Sequence, residues 1–292
     1  MRNKPGRHIT ANGHELYVEE SGHGQRHVVF EGGLWSSRTC WDRVLPLLVA
    51  EDTRLITYDR IGLGRSAPLD RTLTVEQHAA DLVALIEHMV PDRLVLVAHS
   101  YGGVIARLAA PALRERLDGM LLLDPFPERA HAYDDIDAIL RMADRPLAMA
   151  QWLTRVRPLR PVVAATMKSL PPDTFRTILD EDATPRGVKQ ARREWAALAD
   201  SVPRLRQTPP EPPHCPVVLL SADQVTTTIA PHHADLQAAQ RAYIDSLPNG
   251  HFETVDCTHH VEALAPEVVA ERVRTLLRIS SGPAQPPVGT IR

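Results

Sequence analysis

The chain has 292 residues, of which 43 % are apolar and 24 % are charged, and its formal net charge is −3. These values are typical of a globular protein with a substantial core, and they give no electrostatic reason to expect nucleic acid or an anionic membrane as a partner. No stretch approaches the ~18 consecutive apolar residues that a membrane span needs.

The first predicted elements are a hairpin, two strands and a helix. The polar N-terminal stretch lacks the apolar segment of a secretion signal, so we expect a cytoplasmic protein. An Asn-Gly pair at 12–13 lies between alternating segments and predicts a β-hairpin over 9–20. Short apolar runs at 27–31 and 53–58 predict buried strands, and the apolar spacing over 41–48 predicts a helix between them.

Helix and strand patterns then alternate. A capping-box pattern opens a helix predicted over 74–89, where apolar residues share one face. Continuous apolar runs over 93–98 and 117–123 predict strands buried on both faces, and the helix between them ends before Pro111. Such alternation predicts an α/β fold: a mostly parallel twisted sheet of about eight strands flanked by helices.

The alternation is interrupted between residues 126 and 213, where helical patches and prolines occur without a strand pattern. We interpret 126–213 as a helical cap inserted into a core made of 1–125 and 214–279. Runs at 215–221 and 252–255 predict the last strands, and a helix is predicted to begin at Pro266. The Pro-, Gly- and Ser-rich tail over 280–292 is predicted to be disordered.

The strongest chemical motif is the sequence AHSYGG at 98–103, between a predicted strand and a predicted helix. The pattern Gly-x-Ser-x-Gly, here with Ala98 first, is a nucleophile elbow. Its turn is so sharp that the residues two before and two after the serine must be small, and Ala98 and Gly102 meet that need. Ser100 would stand at the carboxyl edge of the sheet, facing the positive end of a helix. We therefore predict that Ser100 is a nucleophile and that His99 packs within the elbow.

With two further segments, this motif resembles the α/β-hydrolase fold family, in its branch of serine-nucleophile esterases, lactonases and aminopeptidases. The segment FEGGLWSS at 30–37 is similar to the family's oxyanion loop, with Gly32 where most members carry His. The segment YDRIGLGRS at 58–66 is similar to a structural D-R-x-G-x-G-x-S segment. The resemblance covers about residues 8–278. It implies an oxyanion hole formed by the backbone N–H groups of Leu34 and Tyr101, with Gly33 as a rival donor.

The resemblance also implies a base, because the family carries a histidine after the last strand. Members usually place a proline seven positions after that histidine. His259 stands seven positions before Pro266, whereas His260 stands six before it. We favour His259 as the base and keep His260 as the alternative.

The acid is expected at the end of a strand. Asp223 follows the strand predicted at 215–221, which is the commonest location in the family, and Asp124 follows the strand at 117–123, where some relatives carry it. Either carboxylate would orient the imidazole and stabilise its cation. We favour Asp223 and keep Asp124 as the alternative acid.

The function expected from the resemblance is hydrolysis of an ester, lactone or thioester through an acyl-enzyme. Epoxide hydrolases and haloalkane dehalogenases of this fold use an Asp nucleophile, which position 100 lacks. One alternative is a non-hydrolytic cyclase or lyase of secondary metabolism, and another is a binding protein without turnover. A third is a prolyl-aminopeptidase-like enzyme, for which Glu181, Asp182 or Glu194 could hold the substrate amine.

The expected partner is a hydrophobic small molecule, with Trp35, His99 and Phe126 as pocket residues. Further aromatic side chains that could line the pocket are Trp152, Phe175 and Trp195. We predict no metal and no organic cofactor, and no nucleic-acid or membrane partner; the chain would be a monomer or homodimer. Three widely spaced cysteines, Cys40, Cys215 and Cys257, give neither a disulfide framework nor a zinc pattern.

Overall fold

One eight-stranded sheet organises the protein in the computed structural model, which describes residues 6–49, 52–164, 170–225 and 230–280. The strands are β1 (Arg7–Ala11), β2 (His14–Gly22), β3 (Arg26–Glu31), β4 (Thr53–Asp59), β5 (Leu94–His99), β6 (Leu117–Leu123), β7 (Val217–Ala222) and β8 (Gly250–Val255). They lie in the order β1-β2-β4-β3-β5-β6-β7-β8. The pairs β1–β2 and β2–β4 are antiparallel and the others parallel, so the predicted mostly parallel sheet is confirmed.

Helices pack on both faces of this sheet. The α-helices are α1 (Leu45–Leu48), α2 (Val75–Met89), α3 (Tyr101–Ala109), α4 (Ile136–Leu153), α5 (Arg160–Val163), α6 (Pro172–Thr177), α7 (Pro185–Gln207), α8 (His233–Asp245), α9 (Val261–Leu264) and α10 (Pro266–Ser280). Short 3-10 turns cover Arg38–Trp41, Arg114–Arg116, His131–Tyr133, Arg157–Leu159 and Ala230–His232, and a π-helical turn covers Ile178–Asp182.

Alternate residues of the central strands divide the core into two layers. In β5, Leu96 and Ala98 pack with residues of α2 and α3, whereas Val95 and Val97 pack with residues of α10. All six residues of β5 are buried. This arrangement follows from the strand's two-residue period, because successive side chains of a strand point to opposite faces of the sheet.

Two local predictions from the sequence are confirmed. Asn12 and Gly13 both have positive φ angles, 51° and 79°, as a two-residue hairpin turn between β1 and β2 requires. Thr74 and Gln77 form the predicted capping box at the start of α2, with reciprocal side chain–backbone hydrogen bonds.

The single helix predicted over 41–48 is wrong. The chain forms a 3-10 turn, Arg38–Trp41, and then the four-residue α1, Leu45–Leu48. Pro46 explains the division, because a proline within a continuous helix lacks the N–H for its hydrogen bond and its ring clashes with the preceding turn. The predicted apolar side chains Trp41, Val44 and Leu48 are nevertheless all buried.

Between β6 and β7, the described residues contain helices and no strand. The long helices α4 and α7 pack against each other here, and we call residues 126–213 the helical segment. Its boundaries as a separate cap stay a prediction. The disordered tail was predicted over 280–292, but Ser280 still belongs to α10, and residues 281–292 lie outside the described residues. None of the described helices is long and apolar enough to cross a membrane.

The strand order determines which loops meet. Strands β3, β5 and β6 are neighbours and parallel, so the loops that follow them lie side by side at one edge of the sheet. In open α/β sheets this carboxyl edge is where ligands bind. The three loops begin with Gly32, Ser100 and Asp124.

Candidate active site

Ser100 occupies a strained backbone position between β5 and α3. Its φ of 51° and ψ of −117° lie in a region that residues other than glycine rarely adopt. The Ser100 N–H donates to the carbonyl of Leu123 at 3.0 Å, and its carbonyl accepts from the N–H of Phe126 at 3.0 Å. Backbone bonds to the end of β6 therefore hold the serine in the predicted sharp turn.

Gly102, two positions after Ser100, makes room for the neighbouring loop as well as for the sharp turn. A Cβ atom on Gly102 would lie 2.4 Å from the carbonyl oxygen of Gly32, and one on Gly33 would lie 2.7 Å from the His99 ring. Real Cβ atoms do not come so close to other heavy atoms. Glycine at both positions therefore lets the loop after β3 lie directly against the serine turn.

Three predicted site residues meet in one hydrogen-bonded chain. His259 Nε2 lies 2.9 Å from Ser100 Oγ, and His259 Nδ1 lies 2.6 Å from Asp124 Oδ2. The imidazole can thus accept the hydroxyl proton on one side while a carboxylate holds its other nitrogen, which is the geometry that activates a serine. The side chain of His259 is 41 % exposed, so the site is open to solvent.

The structure corrects the acid that the sequence favoured. Asp223 is exposed, and its carboxylate lies 3.5 Å from Gln237 rather than near His259. The physical reason is strand order. Asp124 follows β6, the immediate neighbour of the strand that precedes Ser100, whereas Asp223 follows β7, one strand spacing of ~4.8 Å further away.

The alternative base is also placed elsewhere. His260 Nδ1 pairs with Glu262 at 3.1 Å and makes no contact with Ser100 among the described interactions. Its neighbour His99 is fully buried and pairs through Nε2 with the His259 carbonyl at 2.9 Å. Because it is buried, His99 helps to hold the histidine loop and does not line a ligand pocket, contrary to the sequence prediction.

Gln240 on α8 is a polar neighbour of the site that sequence reasoning missed. Its Nε2 donates to Asp124 Oδ1 at 2.9 Å, and its Oε1 accepts from Ser221 Oγ at 2.7 Å. The amide of Ala222 donates to the same Asp124 oxygen at 3.3 Å. Gln240 is buried, but nothing in a helix pattern marks which polar residue will be buried against a loop 116 positions earlier.

Burial and hydrogen bonding shift the pKa of Asp124 in opposite directions, and they do the same to the pKa of His259. Burial opposes the charge of Asp124, but hydrogen bonds from His259 and Gln240 outweigh it and lower the pKa of the carboxyl. Burial also disfavours the His259 cation, but Asp124 raises the pKa of the imidazole above its ordinary 6.5. The pair therefore favours the charged carboxylate and readily accepts a proton on the imidazole.

One group among the described residues has a spacing compatible with a metal ion: His99, His260 and Glu262, whose ligand atoms lie within 4.8 Å of one another. Burial opposes the charge of Glu262, but the two histidines lower its pKa to about 2. Burial lowers the pKa of His99 to about 4, so that ring is neutral near pH 7. In this cluster His260 Nδ1 lies 3.1 Å from Glu262 Oε1, and His99 Nε2 lies 3.5 Å from Glu262 Oε2.

The loop after β3 presents backbone amides beside Ser100. The amides of Trp35, Ser36 and Ser37 have acceptors, whereas those of Gly33 and Leu34 have none among the described interactions. The N–H of Tyr101, the first residue of α3, has no intrahelical partner because of its position. These amides are the ones that the sequence suggested as oxyanion donors.

Arg60 holds this loop, in which Gly32 stands where most family members carry a histidine. Its guanidinium donates to the carbonyls of Gly32 and Gly33, each at 2.6 Å. It also pairs with Glu31 at 2.6 Å and with Glu194 at 2.9 Å, and all three charged side chains are buried. The sequence indicated a structural role for the segment at 58–66 but did not identify Arg60 as the residue that holds the loop.

The predicted aromatic pocket residues are scattered. Trp35 is half-buried beside the serine turn, and Phe126 is buried with its ring 4.4 Å from that of Tyr133. Phe126 also lines a cavity of about 560 Å³ with residues of α8. Trp152 is 57 % exposed on the surface of α4, and Trp195 lines a different cavity between α4 and α7. Phe175 is half-buried on α6.

Comparison with known proteins agrees with the fold. A model of the alpha/beta hydrolase family matches residues 28–272. The chain therefore belongs to the alpha/beta hydrolase family.

Individual relatives are more distant. The chain is 29 % identical to the karrikin insensitive 2 receptor IA of Petunia hybrida over 56 % of its own length and 62 % of the receptor. It is 30 % identical to a carbendazim hydrolyzing esterase of Nocardioides sp. over 41 % and 50 % of the two lengths. Each alignment thus spans less than two thirds of the relative.

Solved structures align along nearly the whole chain. A thermophilic esterase from Thermogutta terrifontis superposes with a TM-score of 0.65 at 24 % identity, covering 95 % of this chain and 99 % of the esterase. The epoxide hydrolase VrEH1 from Vigna radiata gives a TM-score of 0.67 at 18 % identity, covering 94 % and 97 %. At these identities the likeness supports the shared fold alone.

Replacing Asp124 by Asn should slow phosphonylation of Ser100 by a fluorophosphonate about 10³- to 10⁴-fold, because the amide cannot stabilise the imidazolium or keep its tautomer. Asp223→Asn is the matched control, since it makes the same change at the end of the next strand. We expect its rate to stay within about twofold of wild type. Time-resolved intact mass measures both rates, and equal loss in the two variants would contradict the placement of the acid.

The pH dependence of the same reaction follows from the raised pKa of His259. Only the neutral imidazole accepts a proton, so the rate should fall with decreasing pH and reach half its plateau above pH 6.5. Asp124→Asn should move that midpoint to lower pH, because the carboxylate that raises the pKa is removed. Rates measured between about pH 5 and 9 check this shift. An unchanged midpoint in the variant would show that another group governs the profile.

Proposed function

We propose that the protein is a serine hydrolase that cleaves an ester, lactone or thioester of a hydrophobic small molecule. The observation that supports this proposal most is the hydrogen-bonded series Ser100–His259–Asp124 at the carboxyl edge of the sheet. His259 lies 2.9 Å from the Ser100 hydroxyl and 2.6 Å from Asp124, with the nucleophile at a strained strand-to-helix turn. Such a turn, base and acid together make an otherwise weak nucleophile reactive.

The proposed reaction proceeds in two halves. Ser100 Oγ forms a bond to the substrate carbonyl carbon while its proton passes to His259 Nε2. The tetrahedral intermediate then breaks the bond to the alcohol or thiol, which leaves with the proton held by His259. A water molecule repeats the attack on the acyl-enzyme with the same base, and the carboxylic acid is released as Ser100 regains its proton.

Charge that develops during this reaction has a complementary environment. Asp124 faces the imidazolium, and its lowered pKa keeps it ionised. The amides of Leu34 and Tyr101, with Gly33 as a second possible donor in the loop, would donate to the oxyanion. The positive end of the nine-residue α3 is directed at the same point. Fixed dipoles of this kind stabilise the transition state without reorganisation during the reaction.

The hydrophobic substrate class is supported by the side chains around the turn. Leu34 and Trp35 are half-buried in the loop beside Ser100, and the backbone N–H of Phe126 donates to the carbonyl of Ser100. The names of the relatives include both esterases and a receptor, so catalysis and ligand sensing both occur among proteins similar to this chain. The serine argues against the epoxide hydrolase chemistry of its structural neighbours, for which the family uses an Asp nucleophile.

The peptidase alternative gains no support from the carboxylates named for it. Glu194 is fully buried and pairs with Arg60, and Glu181 pairs with Arg38 and Arg65. Asp182 is buried and accepts from the amide of Ser37 at 2.9 Å. Burial also raises the pKa of Asp182 to about 8, so it is largely uncharged near neutral pH. None of the three offers a free negative charge to a substrate amine.

Incubation with a fluorophosphonate should add one phosphonyl group to the wild-type protein and none to Ser100→Ala. Ser246→Ala is the control, because Ser246 is an exposed serine at the end of α8 and should not affect labelling. Intact mass gives the stoichiometry. Ester turnover should fall by about 10⁴- to 10⁶-fold in Ser100→Ala, as expected when a nucleophile is removed.

A panel of p-nitrophenyl esters, lactones and thioesters of increasing acyl length then identifies the substrate class. Labelling without turnover on any of the panel would favour the receptor-like reading, in which the serine is activated but hydrolysis is not the main output. A folded wild-type protein that neither reacts with the probe nor cleaves any compound would contradict the proposed hydrolase.

A further inference from the structure

Glu194 on α7 reaches from the helical segment into the loop beside Ser100. Its Oε1 accepts from Arg60 Nε at 2.9 Å, and its Oε2 accepts from Arg60 Nη2 at 3.0 Å and from the Trp35 amide at 3.1 Å. Its side chain is completely buried. One carboxylate thus binds the arginine that holds the loop and a backbone amide of the loop itself.

The loop is fixed on its other side by the same arginine. The Gly32 and Gly33 carbonyls each accept from Arg60, at 2.6 Å. The Arg60 guanidinium also lies over the Tyr101 ring, 5.4 Å from its centroid. Arg60 therefore touches both structures that carry the proposed oxyanion donors, the loop at 32–37 and the start of α3. Glu194 and Glu31 supply the negative charge that makes this buried cation tolerable.

Trp35 makes the loop dependent on these contacts. Its φ of 60° lies in the left-handed region, which a bulky residue adopts only when its surroundings impose it. Glu194 binds its backbone amide, and the indole Nε1 donates to the carbonyl of Asp182 at 2.8 Å. Asp182 also accepts from the amide of Ser37. Asp182, in the π-helical turn, and Glu194, on α7, therefore hold two positions of the loop, Trp35 and Ser37.

We propose that Glu194 is a positioning residue that sets the oxyanion loop from the helical segment, through Arg60 and the Trp35 amide. This inference rests on the proposed hydrolase function. Leu34, the proposed donor, lies between Gly33, whose carbonyl is held by Arg60, and Trp35, whose amide is held by Glu194. The direction of its N–H therefore depends on both contacts. Because the side chains of Glu194 and Arg60 are buried, water cannot readily replace either contact.

Loss of this brace should lower the rate of the chemical step more than the affinity for substrate. An oxyanion donor contributes mainly in the transition state, where removing one costs about 10²- to 10³-fold in kcat. A donor that is misdirected but present should cost less. For Glu194→Gln we expect a decrease in kcat of about 10- to 100-fold, with KM changed by less than about threefold.

The experiment compares Glu194→Gln with Glu128→Gln. Glu128 forms another buried ion pair, with both carboxylate oxygens 2.8 Å from Arg107, and it makes no contact with the loop at 32–37 among the described interactions. Both variants remove one charge from a buried arginine–glutamate pair, so both should lower Tm. The probe substrate is p-nitrophenyl butyrate, and kcat, KM, phosphonylation rate and Tm are measured for each variant and wild type.

The brace is supported if Glu194→Gln loses kcat and phosphonylation rate together while Glu128→Gln keeps both within about threefold of wild type. Wild-type kcat in a folded Glu194→Gln would overturn it, and so would equal losses in both variants, which would indicate a general stability effect. If Glu194→Gln does not fold, Arg60→Lys provides the same test. Lysine keeps the charge but has three donors on one nitrogen, so it cannot replace the five hydrogen bonds of the Arg60 guanidinium. The same loss of kcat is therefore expected, and its absence overturns the brace.

Failure of the brace can be distinguished from failure of the proposed function. If wild type neither hydrolyses the ester nor reacts with the fluorophosphonate at Ser100, the hydrolase proposal fails, and the brace proposal that rests on it fails too. If wild type does both and Glu194→Gln matches it, only the positioning role of Glu194 fails. The Ser100→Ala variant marks the uncatalysed background in each measurement.

Discussion

The left-handed backbone of Ser100 is the constraint on which the arrangement of this site depends. A residue with φ of 51° persists only where its neighbours hold it, and here the end of β6 provides an acceptor and the loop after it a donor. Because the end of β6 is hydrogen-bonded to the serine turn, Asp124, which follows β6, lies within hydrogen-bond distance of His259. The position of Asp124 is thus a consequence of how the turn is held.

Close packing around the turn explains its glycines. Gly102 and Gly33 mark the two points where backbone meets backbone or the His99 ring, at distances that leave no room for a Cβ atom. The loop that carries the proposed oxyanion donors is therefore pressed against the serine rather than suspended above it. Hydrogen bonds then determine how the backbone amides of the loop are oriented. Most of these bonds come from charged side chains distant in sequence.

Much of this could be predicted from the sequence, and the limits have physical causes. The elbow, the hairpin at 9–20, the strand pattern and His259 are local signals, because each depends on residue types within a few positions. The choice between Asp124 and Asp223 does not depend on a local signal. Both end apolar strands, and only the order of strands in the sheet, a property of the tertiary fold, brings one of them next to Ser100.

The contacts of Gln240 and Glu194 were beyond sequence reasoning for a related reason. Gln240 meets a residue 116 positions away, and Glu194 meets Arg60 across 134 positions. A local residue pattern does not indicate which polar side chain of a helix will be buried against a loop so distant in sequence. The continuous helix expected at 41–48 is absent for a local reason, because Pro46 interrupts a segment whose apolar spacing is otherwise helical.

The brace around Arg60 has an implication for how sequences of this type can diverge. A lineage that regained a histidine at position 32 would have a second means of holding the loop, and the selective pressure on positions 60 and 194 would relax together. A lineage that keeps Gly32 cannot exchange α7 freely for a different helix, because one of its side chains belongs functionally to the sheet edge. Positions 32, 60 and 194 should therefore covary among homologues.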